Sequence, residues 1–504
     1  MPRVLGRLAL FLSVASIAFA QRLGVNPQTP VPTAPAQPEA PVVRKHEWKL
    51  GDRQLRYTTT TGFLPVKNES GEIEASLFYI AYTLDTDQPV SKRPLMFSFN
   101  GGPGSSSVWL HLGALGPFRT KMHPDGALPP PPYELVPNEH TWLDKTDLVF
   151  IDPVGTGYSR ATKAEFARKY NGLQGDLASV GEFIRLYLTR NSRWSSPLFL
   201  VGESYGTTRA SGLSGYLIDR GIAFNGILLI SKVLDFQTIR FTKGNDLPFV
   251  LYLPTYTATA FYHKKLPADL QTDLQKTLAL AREWALGPYA AALAKGDSLP
   301  PAERQQTAAQ LARFTGLSAR YVENSDLRIE IMRFTKELLR DRKLVAGRLD
   351  SRLTGWDGNN AAERQEFDPS MAAIRPPYTA ALNDYVRGKL GYQTDLNYFI
   401  LGGGIQAWDW GSAESGFANV SDQLRVALSR NPHMKVFVGS GYYDLATPFF
   451  AAEYTLRHLG IDPAVKKNFT VAEYEAGHMM YIHEPSLEKL RRDAGAFIDA
   501  SLRR

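Results

Sequence analysis

The 504-residue chain contains no cysteine. That excludes a thiol nucleophile, disulfide staples and any metal held by thiolates. Long apolar runs are scarce too. The stretch Leu8 to Ala20 is shorter than the ~20 residues a spanning helix needs, and no later segment is long and apolar enough. Charge of one sign is not concentrated anywhere. The formal charge is +7, but Lys and Arg are interleaved with Asp and Glu. The densest basic run, Arg340-Asp341-Arg342-Lys343, sits in a helical pattern that also carries acids, so a solvated face is expected and a nucleic-acid partner is not. With 33 prolines and 41 glycines, the composition does not suggest bulk disorder.

What is present begins with an address. Arg3 and Arg7 precede the apolar stretch, which ends in Ala18-Phe19-Ala20 before Gln21. A positive start, a short apolar centre and an A-x-A end describe a cleavable export signal over 1–20. An uncleaved anchor is the alternative. Export without disulfides suits a bacterial envelope, periplasmic or secreted. Residues 21–45, rich in Pro and Ala, read as a linker.

From about His46 to Asp85, alternating segments flank Asn68-Glu-Ser-Gly71, the pattern of an antiparallel hairpin. Short apolar runs at Leu95–Phe99, Leu148–Ile151, Leu198–Val201, Ile227–Ile230 and Val436–Val438 then read as buried parallel strands. Leu177, Val180, Ile184 and Leu188 fall on one helical stripe between two of them. Strands alternating with helices predict an α/β fold with a mostly parallel central sheet. The alternation stops near Phe241. Pro300-Pro301-Ala-Glu-Arg starts one helix there, and Leu327, Ile331, Phe334 and Leu338 form a stripe on another. Strand-like runs resume after Asn397. The expected division is therefore a core over 46–240, a helical insertion over 241–392 and a second core part over 393–504.

The strongest local signal is Gly202-Glu203-Ser204-Tyr205-Gly206, after one strand and before a helix-compatible stretch. In that context G-x-S-x-G is a nucleophile elbow, with glycines where side chains would clash around a strained serine. A serine needs a histidine to take its proton and a carboxylate to orient that histidine, here in the order Ser, acid, His. Asp444 follows the strand Val436–Val438, and His478 follows the strand-like Phe469–Glu475. His483 competes as the base, and Glu473 or Glu475 as the orienting acid. An oxyanion needs amide donors: the Tyr205 amide after the nucleophile, and one from the Gly-rich Asn100-Gly101-Gly102-Pro103-Gly104-Ser105-Ser106-Ser107. That loop lacks the Gly-Lys-Ser/Thr ending of a nucleotide cradle. His478 and His483 with Glu484 do not make the His-Glu-x-x-His metal pattern, and no metal or cofactor is called for. Trp408 and Trp410 fit either a pocket wall or packing.

Four motifs in order make this chain similar to the serine carboxypeptidases, peptidase family S10. They are Asn100-Gly-Gly-Pro-Gly-Ser-Ser106, Gly202-Glu-Ser-Tyr-Gly206, Asp444-Leu-Ala-Thr-Pro448 and Ala476-Gly-His-Met479, with Asp147–Ser159 resembling the family pattern between the first two. The resemblance implies an α/β-hydrolase fold and a triad of Ser204, Asp444 and His478. It implies an oxyanion hole from Gly102 and Tyr205. It further implies that Asn100, Gly101 and Glu203 hold the terminal carboxylate of a peptide substrate with a free C-terminus. Two carboxylates brought together must share a proton, so a protonated Glu203 suits that role. The sequence departs from the family at Ala114, where a second carboxyl is expected. It departs again at Ser105, where a disulfide cysteine is usual, and at Ser231-Lys-Val, which replaces Gly-Asn-Gly. The same triad serves acyltransferases and esterases, and a non-catalytic binding protein on this scaffold is a third reading.

Overall fold

The computed structural model describes residues 40–50, 53–405, 407–411 and 416–503. The export-signal segment and most of the linker segment lie outside the described residues. Residues 42–45, read above as the linker's end, instead open the first strand. Val42–Leu50 (β1) pairs antiparallel with Arg53–Lys67 (β2) along its whole length, and β2 pairs with Ile73–Leu84 (β3). The correction has a simple cause: the alternation of Val43, Lys45 and Glu47 with their neighbours starts before His46 and offers β2 a continuous ladder. The turn between β2 and β3 falls where expected. Asn68 Oδ1 accepts from the amides of Ser70 and Glu72, at 3.1 and 2.9 Å.

The other strands of the main sheet are Leu95–Phe99 (β4), Asp147–Ile151 (β5), Leu198–Glu203 (β6), Gly226–Ile230 (β7), Lys435–Gly441 (β8) and Phe469–Tyr474 (β9). The sheet order is β1-β2-β3-β5-β4-β6-β7-β8-β9, with Arg160–Ala161 added beside β3. From β5 to β9 all neighbours run parallel, while β3 meets β5 antiparallel.

Side-chain alternation sorts the helices onto two faces. Leu95, Phe97, Phe99, Leu198 and Leu200 share one core cluster with Leu173–Arg190 (α1), Tyr205–Ile218 (α2) and a helix near residue 425. Met96, Phe199, Val201, Leu228 and Phe437 point the other way, into a second cluster. The stripe Leu177, Val180, Ile184 and Leu188 is fully buried against the first face. Each such side chain contributes about 1.5–3 kcal/mol by leaving water.

Between β7 and β8 lie helices at Leu247–Tyr262 (α3), Leu274–Trp284 (α4), Pro301–Thr315 (α5), Ile331–Glu337 (α6) and Pro369–Asp384 (α7), followed by Ser421–Arg430 (α8); Glu484–Leu502 (α9) ends the fold. Helix α5 starts at the expected prolines. Helix α6 is shorter than its stripe suggests, because Asp326 and Leu327 take left-handed φ values of 52° and 61° just before it. Helices α3 to α6 share a third apolar cluster. By contrast α7, although within 241–392, packs Ile374, Tyr378, Ala381 and Leu382 into the sheet's second face. Among the described residues, the strand-like runs expected after Asn397 do not form a strand before β8. Single bridges tie Phe399 to Gly157 and Leu401 to Ser105. Left-handed glycines at 402 and 403 interrupt any longer pairing.

Candidate active site

The parallel strands all end at one edge, and the loops leaving that edge carry the chemistry-bearing residues. Ser204 is the link between β6 and α2. Its φ of 59° and ψ of −131° are rare for a residue with a side chain. The turn survives because its flanks have none: a Cβ on Gly202 would lie 2.1 Å from the Gly206 carbonyl oxygen. Ser204 N donates to Ile230 O at the end of β7, at 3.0 Å, fixing the elbow to the neighbouring strand.

The loop after β4 packs directly on this elbow. A Cβ on Gly101 would come within 2.4 Å of the Tyr205 amide nitrogen, so the Gly101–Gly102 backbone lies beside the first amides of α2. Those amides have no partner within their own helix, and they carry the positive end of its dipole. Asn100 is held on three sides. Its Oδ1 accepts from Leu110 N at 3.0 Å, its carbonyl accepts from Arg209 Nη1 at 2.7 Å, and its Nδ2 donates to Glu203 Oε1 at 2.9 Å.

His478 follows β9 and Asp444 follows β8. The imidazole Nδ1 lies 2.7 Å from Asp444 Oδ2, which leaves Nε2 as the free ring nitrogen. Both side chains are buried. Asp444 Oδ1 accepts from the amides of Ala446 and Thr447 at 2.8 and 3.0 Å, so the carboxylate is oriented by its own loop. Burial disfavours the imidazolium, but the charge and hydrogen bond of Asp444 outweigh it and hold the pKa above its ordinary value. The backbones of Ser204 and His478 meet through one strand end. Ile230 accepts the Ser204 amide, and the next residue, Ser231, donates its hydroxyl to the His478 carbonyl at 2.6 Å. Ser231 has a φ of 52°, a conformation glycine adopts without cost, which accounts for the usual glycine at this place. Among the described residues the Ser204 hydroxyl itself has no hydrogen-bond partner. Contacts of this kind often close only when substrate is bound.

The competing residues lie elsewhere. His483 Nδ1 contacts Ser486 Oγ at the start of α9, at 2.8 Å. Glu473 is engaged by Arg282 and by the Tyr442 hydroxyl, and Glu475 is exposed. Trp408 and Trp410 pack edge-on against the Tyr205 ring, with centroids 5.4 and 6.0 Å away. Glu203 is buried, and its carboxyl is pushed up to about 7 by desolvation, partly offset by His478.

Four supporting residues escaped the sequence reading. Thr447 Oγ1 lies 2.7 Å from Asp444 Oδ2 and 3.0 Å from Ser231 O, bracing the acid against the β7 loop. Arg209 and Asp176 form a buried pair behind Asn100. Asp350, between α6 and α7, accepts from the Gly477 amide at 3.1 Å, while His478 N donates to Leu349 O at 2.6 Å. Thr447 could have been found from its place in Asp-Leu-Ala-Thr-Pro; Asp350 had no sequence signal.

A serine on a strained strand–helix elbow, with a buried His–Asp pair from the last two strand ends of a parallel sheet, defines the α/β-hydrolase class. The structure of KEX1(Δ)p, a prohormone-processing carboxypeptidase from Saccharomyces cerevisiae, shares this fold. It superposes with a TM-score of 0.54 and 17% identity, over 88% of this chain and 91% of that one. Residues 51–230 match the family model for serine carboxypeptidases. It is 30% identical over 177 residues to serine carboxypeptidase-like 36 of Arabidopsis thaliana, covering 33% of each. It is 32% identical over 155 residues to the pheromone-processing carboxypeptidase KEX1 of Saccharomyces cerevisiae, covering 29% of this chain and 20% of that one. The chain thus spans about a third or less of the length of these curated relatives, and the matched family segment ends before Asp444 and His478.

Proposed function

We propose that this protein is a serine-type carboxypeptidase that removes C-terminal residues from peptides through an acyl-enzyme. In this reading Ser204 Oγ attacks the carbonyl of the last peptide bond while His478 Nε2 takes the hydroxyl proton. Asp444 holds the imidazole and stabilises its charged form. The amides of Gly102 and Tyr205 bind the oxyanion. His478 then gives its proton to the leaving amine, the C–N bond breaks, and water hydrolyses the ester by the same steps in reverse. Asn100, Gly101 and Glu203 hold the substrate's terminal carboxylate. The observation that carries this reading is the 2.7 Å contact of His478 Nδ1 with Asp444 Oδ2, beside an elbow whose preceding residue is the buried Glu203.

The same reading extends to compartment. Residues 1–20 have the pattern of an export signal, and the cysteine-free chain suits a bacterial envelope or secretion from it. Among the described residues no helix is long and apolar enough to cross a membrane.

Two measurements test the activity. Ser204→Ala is expected to abolish covalent labelling by a fluorophosphonate, and labelling that persists in that variant rejects the nucleophile. Peptides with a free C-terminus are expected to be shortened stepwise, while the same peptides amidated resist. Equal cleavage of both would replace exopeptidase action with the broader acyl-transfer or esterase reading of this triad.

A further inference from the structure

The carboxypeptidase reading leaves two buried polar atoms with nothing to bind. Asn100 Nδ2 satisfies Glu203 Oε1, but Glu203 Oε2 has no hydrogen-bond partner, and neither has the hydroxyl of Tyr481. The two side chains are 3% and 2% exposed. They are neighbours. Glu203 is the foremost charged group acting on the Tyr481 hydroxyl, and both Glu203 and the Asn100 amide lie close enough to perturb it, without the geometry of a formed hydrogen bond. Orphaned buried groups cost about 1–3 kcal/mol each, and two of them side by side, one on the residue before the nucleophile, suit a ligand that completes them.

Tyr481 holds this place through packing. It sits three residues beyond His478, on the short turn Met480–Ile482, and its ring presses on Gly113. A Cβ there would lie 2.3 Å from Tyr481 Cε2 and 2.7 Å from the Tyr378 hydroxyl. The next residue is Ala114, fully buried, at the position where the resemblance expects a second carboxyl. Two tyrosines thus fill the space beside the missing acid.

We propose that the Tyr481 hydroxyl replaces that acid, donating a hydrogen bond to one oxygen of the substrate's terminal carboxylate while protonated Glu203 donates to the other. This inference rests on the carboxypeptidase reading. A phenol is well matched to a carboxylate here, since it has one donor and does not repel either carboxylate. It also keeps its proton across the working range, because burial pushes its pKa far above the ordinary value.

Tyr481→Phe removes the oxygen and keeps the ring. For a peptide with a free C-terminus, KM is expected to rise about 10-fold or more, the effect of one hydrogen bond to a charged group, while kcat changes less than about 2-fold. Fluorophosphonate labelling and hydrolysis of a simple ester without a carboxylate are expected to stay as in the parent protein. The melting temperature should not fall, since the hydroxyl has no partner to lose. An unchanged KM in Tyr481→Phe, with the parent still preferring free over amidated peptides, overturns the role of Tyr481 alone. Equal losses on peptide, ester and label place the effect in the catalytic machinery and also overturn it. If the parent cleaves amidated and free peptides alike, the carboxypeptidase reading fails first and takes this inference with it.

Discussion

Glu203 and His478 set opposite demands on pH. In the proposed mechanism the imidazole must be neutral to accept the Ser204 proton, and Asp444 holds its pKa above the ordinary value, so activity is expected to fall as pH drops through that raised pKa. In the same proposal Glu203 must keep its proton to receive a carboxylate. Its carboxyl titrates at about 7, so activity on free C-termini falls again as pH rises beyond that. A narrow bell is expected for peptides, and only the lower limb for esters without a carboxylate. Glu203→Gln is neutral at every pH. It should erase the upper limb for peptides while leaving the lower one, as read from kcat/KM against pH. An upper limb that survives in this variant assigns it to another group. Lys232 tests burial more directly. Its ammonium is buried without a hydrogen-bond partner, and desolvation lowers its pKa from 10.5 to about 7. Between those values the unfolded chain binds the proton that the folded one refuses. The stability penalty is therefore complete below about pH 7 and fades towards pH 10.5. Lys232→Met should raise the melting temperature by a few degrees near pH 6 and by much less near pH 10. An increase of equal size at both pH values would mean that packing, not charge, was responsible.

At the scale of elements, legibility followed the period of the pattern. The strands at 95–99, 148–151, 198–201 and 227–230 were readable because buried parallel strands are unbroken apolar runs bounded by glycine or polar residues. Helix α1 was readable because its stripe repeats over about three turns. Asp350 was not, because its role is to meet Gly477, 127 residues away, across the face of the sheet edge. No local pattern encodes a contact of that range. The residues around it work as a brace. Arg352 pairs with Asp350 at 2.6 Å, and Leu349 accepts the His478 amide, so the insertion braces the loop carrying His478. Asp350→Ala leaves Arg352 buried and unpaired, a loss of about 3–5 kcal/mol for a broken buried pair. Reduced thermal stability and a lower kcat are expected together, with KM for small esters little changed. A stability loss with full kcat would show that His478 keeps its place without the brace. Tyr481 was unreadable for a related reason. The glycine and alanine at 113–114 showed that something was missing, but only the folded chain shows which side chain fills the gap.

At the scale of the whole molecule, the helical insertion shares its apolar core with the segment that leaves the sheet at β8. The third apolar cluster does not stop at α3 to α6. It takes in Tyr442, Tyr443, Leu445, Phe449, Phe450 and Ala451, the segment that leaves β8 and carries Asp444. Unfolding the insertion would expose those side chains and release the carboxylate from its loop, so the acid cannot stay placed over a melted insertion. The two parts should therefore unfold in a single calorimetric transition, with activity lost at the same temperature. Phe334→Ala in the insertion and Leu177→Ala under the sheet each remove a fully buried side chain, at a cost of about 2–5 kcal/mol. Both should lower that one transition rather than split it. Two resolved transitions, with Phe334→Ala moving only the lower one, would instead make the insertion an independent lid whose melting precedes that of the catalytic sheet.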